Sequence, residues 1–259
     1  LLRALLSPEP PTQTPRQLLV CDIDNTLVGC DAAMGIFRRW RSRQAGLAFG
    51  VATGRSFHSA MAVLEQQDSP RPQVMITSVG SEIYHLDANG VTYTADAAWR
   101  RIIEPGWDRP AVQAALDRLD GLSPQGPLEQ RALKLSYFGD TETERRVRAR
   151  LAEAGIAARV IHSHGRYLDV LPEAASKGTA VDHVRALYDL PEHAVFVAGD
   201  SGNDIEMLGA RVQAIIVANY SDDLASHAAL KHSYVSRRTH ARGIIEGVSH
   251  FRRMLADAG

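Results

Sequence analysis

Apolar runs that end abruptly in polar residues recur along this chain. Residues 17–24 (QLLVCDID) begin with Leu18, Leu19 and Val20 and close on two carboxylates, Asp22 and Asp24. Such a run predicts a central parallel strand, covered on both faces, with a polar C-terminal tip. Residues 47–55 (LAFGVATGR), 74–80 (VMITSVG) and 194–198 repeat the pattern, and shorter strands are expected at 214–217 and 233–235. Between them, Met34, Phe37 and Trp40 fall on one face of a helix expected over 31–44. Further helices are expected over 56–67, 176–188, 204–208 and 241–256. Residues 82–95 read as a hairpin, because Asn89-Gly90 suits the positive φ of a tight turn.

The rhythm changes over residues 96–171. A helix at 108–119, a strand at 132–138, a helix at 141–154 and strands at 157–162 and 167–171 predict a separate small sheet. The whole pattern predicts an α/β fold. A doubly wound parallel-sheet (Rossmann-like) core spans 17–95 and 172–259, and a smaller α/β cap domain over 96–171 is inserted in it. Residues 1–16 hold four prolines, Pro8, Pro10, Pro11 and Pro15. They read as a linker or the remnant of an upstream domain.

Composition narrows the function. The 29 basic and 30 acidic residues leave a net charge of -1, so no nucleic-acid footprint is expected and any anion specificity must be local. No stretch has the apolar length of a membrane span. The two cysteines, Cys21 and Cys30, sit in or beside a strand read as buried, which suits a reducing cytoplasm better than a disulfide framework. His58, His85, His162 and His164 lack a companion at zinc-ligand spacing and are read as structural.

Four polar segments fall at strand ends, where open α/β sheets bind ligands. Asp22-Ile23-Asp24-Asn25-Thr26 puts two carboxylates at one tip. If the strand ends there, both can turn to a common site, and their repulsion calls for a hard divalent ion such as Mg²⁺. Thr53-Gly54-Arg55 offers a hydroxyl and free N–H groups to an anion. Ser176-Lys177-Gly178 sets an ammonium at a helix start, where it can screen a nucleophile and a phosphoryl group. Gly199-Asp200-Ser201-Gly202-Asn203-Asp204 supplies further carboxylates able to complete a metal shell.

Together, and in this order, these segments resemble the motifs of the haloacid-dehalogenase-like phosphatases. The position of the insertion resembles the α/β-capped subclass. The stretches ATGRSFHSA, VGSEIYH, SPQGPLEQRALKLSY and LDVLPEAASKG are most similar to the sucrose-6-phosphate phosphatase family. The resemblance implies Mg²⁺-dependent hydrolysis of sucrose 6-phosphate through an aspartyl phosphate. Asp22 would be the nucleophile and Asp24 the acid and base. Asp22, the Asp24 carbonyl and Asp200 would hold the ion, with Asp204 beside them or as a further ligand. Thr53, Gly54 and Lys177 would hold phosphate oxygens with Arg55 alongside, and Asn203 would orient Lys177 or substrate. It also places sugar contacts at Gln130 and Lys134 of the cap. Gly80, Ser81 and Glu82 are expected to meet the sugar from the core side, with Asp169 and Arg166 as further candidates. The resemblance implies a fused or associated glycosyltransferase (sucrose-phosphate synthase-like) domain as partner. Two readings compete: a phosphatase for another sugar phosphate, such as mannosylfructose phosphate, and a non-catalytic sugar-phosphate-binding module.

Overall fold

The computed structural model describes residues 15–225 and 231–257. The linker expected over 1–16 lies outside the described residues except for Pro15 and Arg16.

The core opens with β1 (Gln17–Cys21), α1 (Asp31–Arg41), β2 (Leu47–Ala52), α2 (Phe57–Gln66), β3 (Val74–Thr77), β4 (Glu82–Leu86) and β5 (Tyr93–Ala95). The chain continues with α3 (Ala97–Ile103), α4 (Arg109–Leu116), β6 (Ser123–Pro124), β7 (Leu135–Phe138), α5 (Thr141–Glu153), β8 (Ala158–Ser163) and β9 (Tyr167–Pro172). It returns through α6 (Lys177–Leu187), β10 (Val195–Gly199), α7 (Ile205–Leu208), β11 (Gln213–Ile216), α8 (Asp222–Ala225), β12 (Tyr234–Val235) and α9 (His240–Asp257).

The main sheet runs β12-β11-β10-β1-β2-β3-β4-β5. Strands β12 to β3 in that order pair in parallel, while β4 and β5 are added antiparallel at one edge. Alternation along each strand divides the core. Leu18, Val20, Val195 and Val197 pack with α3, α6 and α7 on one face. Leu19, Cys21, Phe49 and Phe196 pack with α1, α2 and α9 on the other. The chain leaves β1 toward β2 on one side and returns to β10 on the other, so the strand order reverses between β1 and β10. A crevice opens beyond the carboxyl ends at such a switch point, and Asp22 and Asp200 stand there.

The inserted segment forms a second sheet, β6-β7-β9-β8, over a core of its own that includes Val112, Leu135, Val147, Val160 and Leu168. The two-residue β6 was not foreseen, because Ser123-Pro124 carries no apolar alternation. Helix α3 lies beyond the expected boundary at 95/96, yet its Trp99 and Ile103 pack into the main core. In the hairpin, Gly90 alone takes positive φ (71°), and the Asn89 side chain accepts from the N–H groups of Val91 and Thr92.

Asp96 ties the start of the insertion to the core. Its carboxylate caps α3 through the N–H groups of Ala98 and Trp99, both at 2.9 Å. It also accepts from the rings of His85 on β4 (3.0 Å) and His183 on α6 (2.9 Å). Burial would raise its pKa, but the two imidazole hydrogen bonds hold it well below the usual carboxylate range. Across the mouth, the His164 N–H of the cap donates to Asp223 Oδ2 at 3.0 Å, and Arg159 pairs with Glu206. No helix among the described residues is long and apolar enough to cross a membrane.

Candidate active site

The first polar tip turns sharply once β1 ends. Asp22 N–H still donates to Ala198 O of β10 at 2.8 Å, which fixes Asp22 against the neighbouring strand. Asp24 is extended (φ -70°, ψ 132°), and Asn25 takes the left-handed conformation (φ 55°) that Asn tolerates better than most residues. The two carboxylates therefore part. Asp22 is buried and faces α6. The Asp24 side chain, 43% exposed, is gripped by Arg55, which donates Nε to Oδ2 and Nη2 to Oδ1, both at 2.7 Å. The bidentate pairing draws the Asp24 side chain toward β2.

Lys177 is the first residue of α6, whose start is fixed by a reciprocal cap between Ser176 and Thr179. Its buried ammonium donates to Asp22 Oδ1 (2.7 Å), Asp204 Oδ1 (2.7 Å) and Asn203 Oδ1 (2.6 Å). All three of its hydrogens are used. Burial alone would lower the Lys177 pKa, yet the charges of Asp204 and Asp22 outweigh it and raise the pKa above the usual lysine value.

The loop after β10 brings the remaining carboxylates. Asp204 Oδ2 accepts from the N–H groups of Asp200 (3.0 Å) and Ser201 (3.2 Å), folding the loop back on itself. Any Cβ on Gly199 would lie 2.5 Å from Asp204 Oδ2, so glycine is required there. Asp200 Oδ1 accepts from Thr26 Oγ1 at 2.9 Å. Burial, then repulsion by Asp204, pushes the Asp200 carboxyl up to about 7. Burial likewise raises Asp22, against the pull of Lys177.

Asp22, Asp200 and Asp204 each offer an oxygen within 4.8 Å of the others. Three buried carboxylates face one ammonium, an excess of two negative charges among hard oxygen donors. A divalent cation fits that deficit. Both Asp204 oxygens already serve Lys177 and the loop, whereas Asp22 and Asp200 each keep one oxygen without a hydrogen-bond partner among the described residues.

The Thr53-Gly54-Arg55 segment stands beside this cluster. Thr53 Oγ1 accepts from the Arg55 N–H at 3.2 Å, and a Cβ on Gly54 would come within 3.7 Å of the Asn203 amide nitrogen. The second and fourth polar segments thus meet across the site. The cap closes over them through Lys134, which is 2% exposed. Its ammonium donates to Gly54 O at 3.3 Å and lies 3.4 Å from Asp169 and 3.8 Å from Glu129.

Residues 15–252 match the family model described as sucrose-6F-phosphate phosphohydrolase. The chain belongs to this family. Among solved structures, the sucrose-phosphatase of Synechocystis sp. PCC6803, in complex with sucrose and phosphate, is 32% identical with a TM-score of 0.85. The match covers 92% of this chain and 98% of that one. The mannosylfructose-phosphate phosphatase of Agrobacterium fabrum is 29% identical, over 92% of this chain and 97% of the relative. Sucrose-phosphatase 1 of Nicotiana tabacum is 27% identical over 93% of this chain, which spans only 60% of the tobacco protein's length. A haloacid dehalogenase-like hydrolase from Bacillus subtilis, at 17% identity and TM-score 0.67, shares the fold alone. Membership in the sucrose-6F-phosphate phosphohydrolase family places the chain among the haloacid-dehalogenase-like phosphatases, which are phosphomonoester hydrolases.

The other candidates in this sucrose-6F-phosphate phosphohydrolase family member have defined neighbours. Gln130 braces the cap by donating to Gln125 O and Ser136 O and accepting from Ser136 N–H. Asp169 accepts from Ser136 Oγ at 2.6 Å. Glu82 pairs with Arg131 of the cap at 2.9 Å and accepts from Thr77 and Ser78. Ser81 is buried and donates to Ser78 O. Gly80 has φ +92°, and a Cβ there would lie 2.2 Å from the Ser176 backbone, so its place is explained by close packing against the Lys177 segment. Arg166 stacks over Phe138, with its guanidinium carbon 4.8 Å from the ring centre. Sequence reasoning named Thr26 without giving it a role, and missed Arg131 and Glu129. Thr26 carried a signal as the last residue of the first polar segment, whereas Arg131 and Glu129 flank Gln130 with nothing to separate them from surface charges.

Proposed function

We propose that this chain hydrolyses sucrose 6-phosphate to sucrose and inorganic phosphate. The observation that carries the reading is the buried cluster of Asp22, Asp200 and Asp204 at the strand switch point, with Lys177 paired to Asp22 and Asp204. An Mg²⁺ ion held by Asp22, Asp200 and the Asp24 carbonyl would supply charge neutralisation and orientation for the phosphoryl group. An Asp22 carboxylate oxygen attacks phosphorus in line while the bond from phosphorus to the sugar oxygen breaks. This gives an acyl phosphate on Asp22. Asp24 gives its proton to the departing sugar oxygen, then takes one from the water that attacks the acyl phosphate. Phosphate leaves and both carboxylates are restored. Thr53 Oγ, the Gly54 N–H and Lys177 hold the oxygens that do not react, and such positioning is most of what phosphoryl transfer requires. Asn203 keeps Lys177 aimed.

Substrate choice belongs to the cap. Lys134, Gln130 and Asp169, with Glu82 on the core side, present polar groups at the mouth suited to a hydroxyl-rich disaccharide. A second reading, mannosylfructose phosphate, draws support from the full-length similarity to the Agrobacterium enzyme. A fused or associated glycosyltransferase of the sucrose-phosphate synthase type would supply the substrate in the cytoplasm.

Phosphate release from a panel of phosphorylated mono- and disaccharides with Mg²⁺ tests the reading. Sucrose 6-phosphate is expected to give the highest kcat/KM, and equal turnover of all would refute the sucrose assignment. The Asp22→Asn variant is expected to fold and to release no phosphate; parental turnover would remove the nucleophile and favour a binding module.

A further inference from the structure

We infer that Arg55 is the residue that positions the Asp24 carboxylate for proton transfer, and not a ligand of the phosphate. The inference rests on the proposed function, deepening its account of the acid and base. Three of the five N–H donors of the guanidinium are engaged within the protein, and the side chain is 35% exposed. Nε and Nη2 grip the two oxygens of Asp24, each at 2.7 Å, and Nη1 donates to Ser59 Oγ of α2 at 3.0 Å. A planar fork of this kind fixes the plane of a carboxylate as well as its distance, which a single point charge does not. Among the described residues, Arg55 is the one side chain that hydrogen-bonds Asp24. Without it, a carboxylate 43% exposed at the end of a left-handed turn would exchange freely among rotamers.

The backbone of the same residue completes the case. The Arg55 N–H donates to Thr53 Oγ1 at 3.2 Å, so one residue joins the hydroxyl expected to hold phosphate to the carboxylate expected to protonate the leaving oxygen. Their separation is set by the conformation of Arg55. During the first half-reaction one Asp24 oxygen carries the proton that passes to the sugar oxygen, and the hydrogen bond to that oxygen yields. The other bond keeps the carboxyl plane in place, and both are restored once the proton has gone.

Leaving-group dependence separates this role from phosphate binding. A sugar alkoxide must be protonated as it departs, whereas p-nitrophenolate leaves as a stable anion. Steady-state kinetics on sucrose 6-phosphate and p-nitrophenyl phosphate are compared for the parent, Arg55→Met and Arg55→Lys. Arg55→Met is expected to lower kcat on the sugar phosphate about 100-fold and on the aryl phosphate less than about tenfold. Competitive inhibition by inorganic phosphate is expected to stay within about twofold, and Arg55→Lys is expected to recover part of the loss. Equal losses on both substrates, or weaker phosphate inhibition in step with them, would overturn the inference. Should Arg55→Met fail to fold by thermal melting, Ser59→Ala removes the outer anchor alone. It is expected to shift the substrate ratio several-fold in the same direction, and an unchanged ratio would overturn the inference. If the parent turns over a different sugar phosphate, the substrate assignment fails while the ratio is read on that alkyl ester instead.

Discussion

Without divalent ions, the Asp200 carboxyl should make the protein less stable as pH rises through neutrality. Burial and the charge of Asp204 raise its folded pKa to about 7, against about 3.9 for an unfolded aspartate. A carboxyl raised on folding contributes stability that is complete below the unfolded value and is lost as pH climbs through the folded one. The full shift of about three units corresponds to about 4 kcal/mol, of which about 3 kcal/mol disappears between pH 5 and pH 8. Asp22, raised by burial, acts in the same direction. Asp96, held low by its histidines, acts oppositely, but its contribution is lost only as pH falls below the unfolded carboxylate range, outside this interval. At about 2–4 °C per kcal/mol for a chain of this size, Asp200 should lower Tm by roughly 6–12 °C between pH 5 and pH 8 in chelator. Thermal melts of the parent and Asp200→Asn, in EDTA and in Mg²⁺, measure this directly. The parent should show the decline in EDTA, Asp200→Asn should show much less of it, and Mg²⁺ should stabilise the parent far more at pH 8 than at pH 5. Equal slopes for the two proteins in EDTA, or equal stabilisation by Mg²⁺ at both pH values, would refute the reasoning.

Two further outcomes follow from the same geometry. Lys177→Met leaves Asp22 and Asp204 buried without their cation and should cost about 3–5 kcal/mol in urea denaturation while abolishing phosphate release; a stable, active variant would refute the assigned ion pair. Gly80→Ala drives a Cβ against the Ser176 backbone at a φ of +92°, and should cost at least about 2 kcal/mol and lower kcat by displacing Lys177, read by thermal melting and steady-state assay.

The phosphatase core was legible because its strands are covered on both faces, so apolar runs stop where catalysis begins. Asp22, Thr53, Lys177 and Asp200 each follow such a run or open the next helix, and the structure brings all four to one crevice. The partners of these residues were much less legible. The Arg55 grip on Asp24 spans 31 positions, and the Thr26 bond to Asp200 spans 174. Side-chain pairing over such distances depends on strand order, which periodicity does not encode. The cap was read least well. Its β6 is two residues long, and α3, a helix not foreseen within the expected insertion, buries Trp99 in the main core. Asp96 with His85 and His183 passed unnoticed because a carboxylate and two imidazoles on three separate elements leave no local mark.

Val112, Leu135, Val147, Val160 and Leu168 give the cap an interior of its own, joined to the main core through Leu133, Leu171 and Trp107. Substitutions confined to that smaller interior are therefore expected to leave the packing behind Asp22 and Asp200 largely undisturbed.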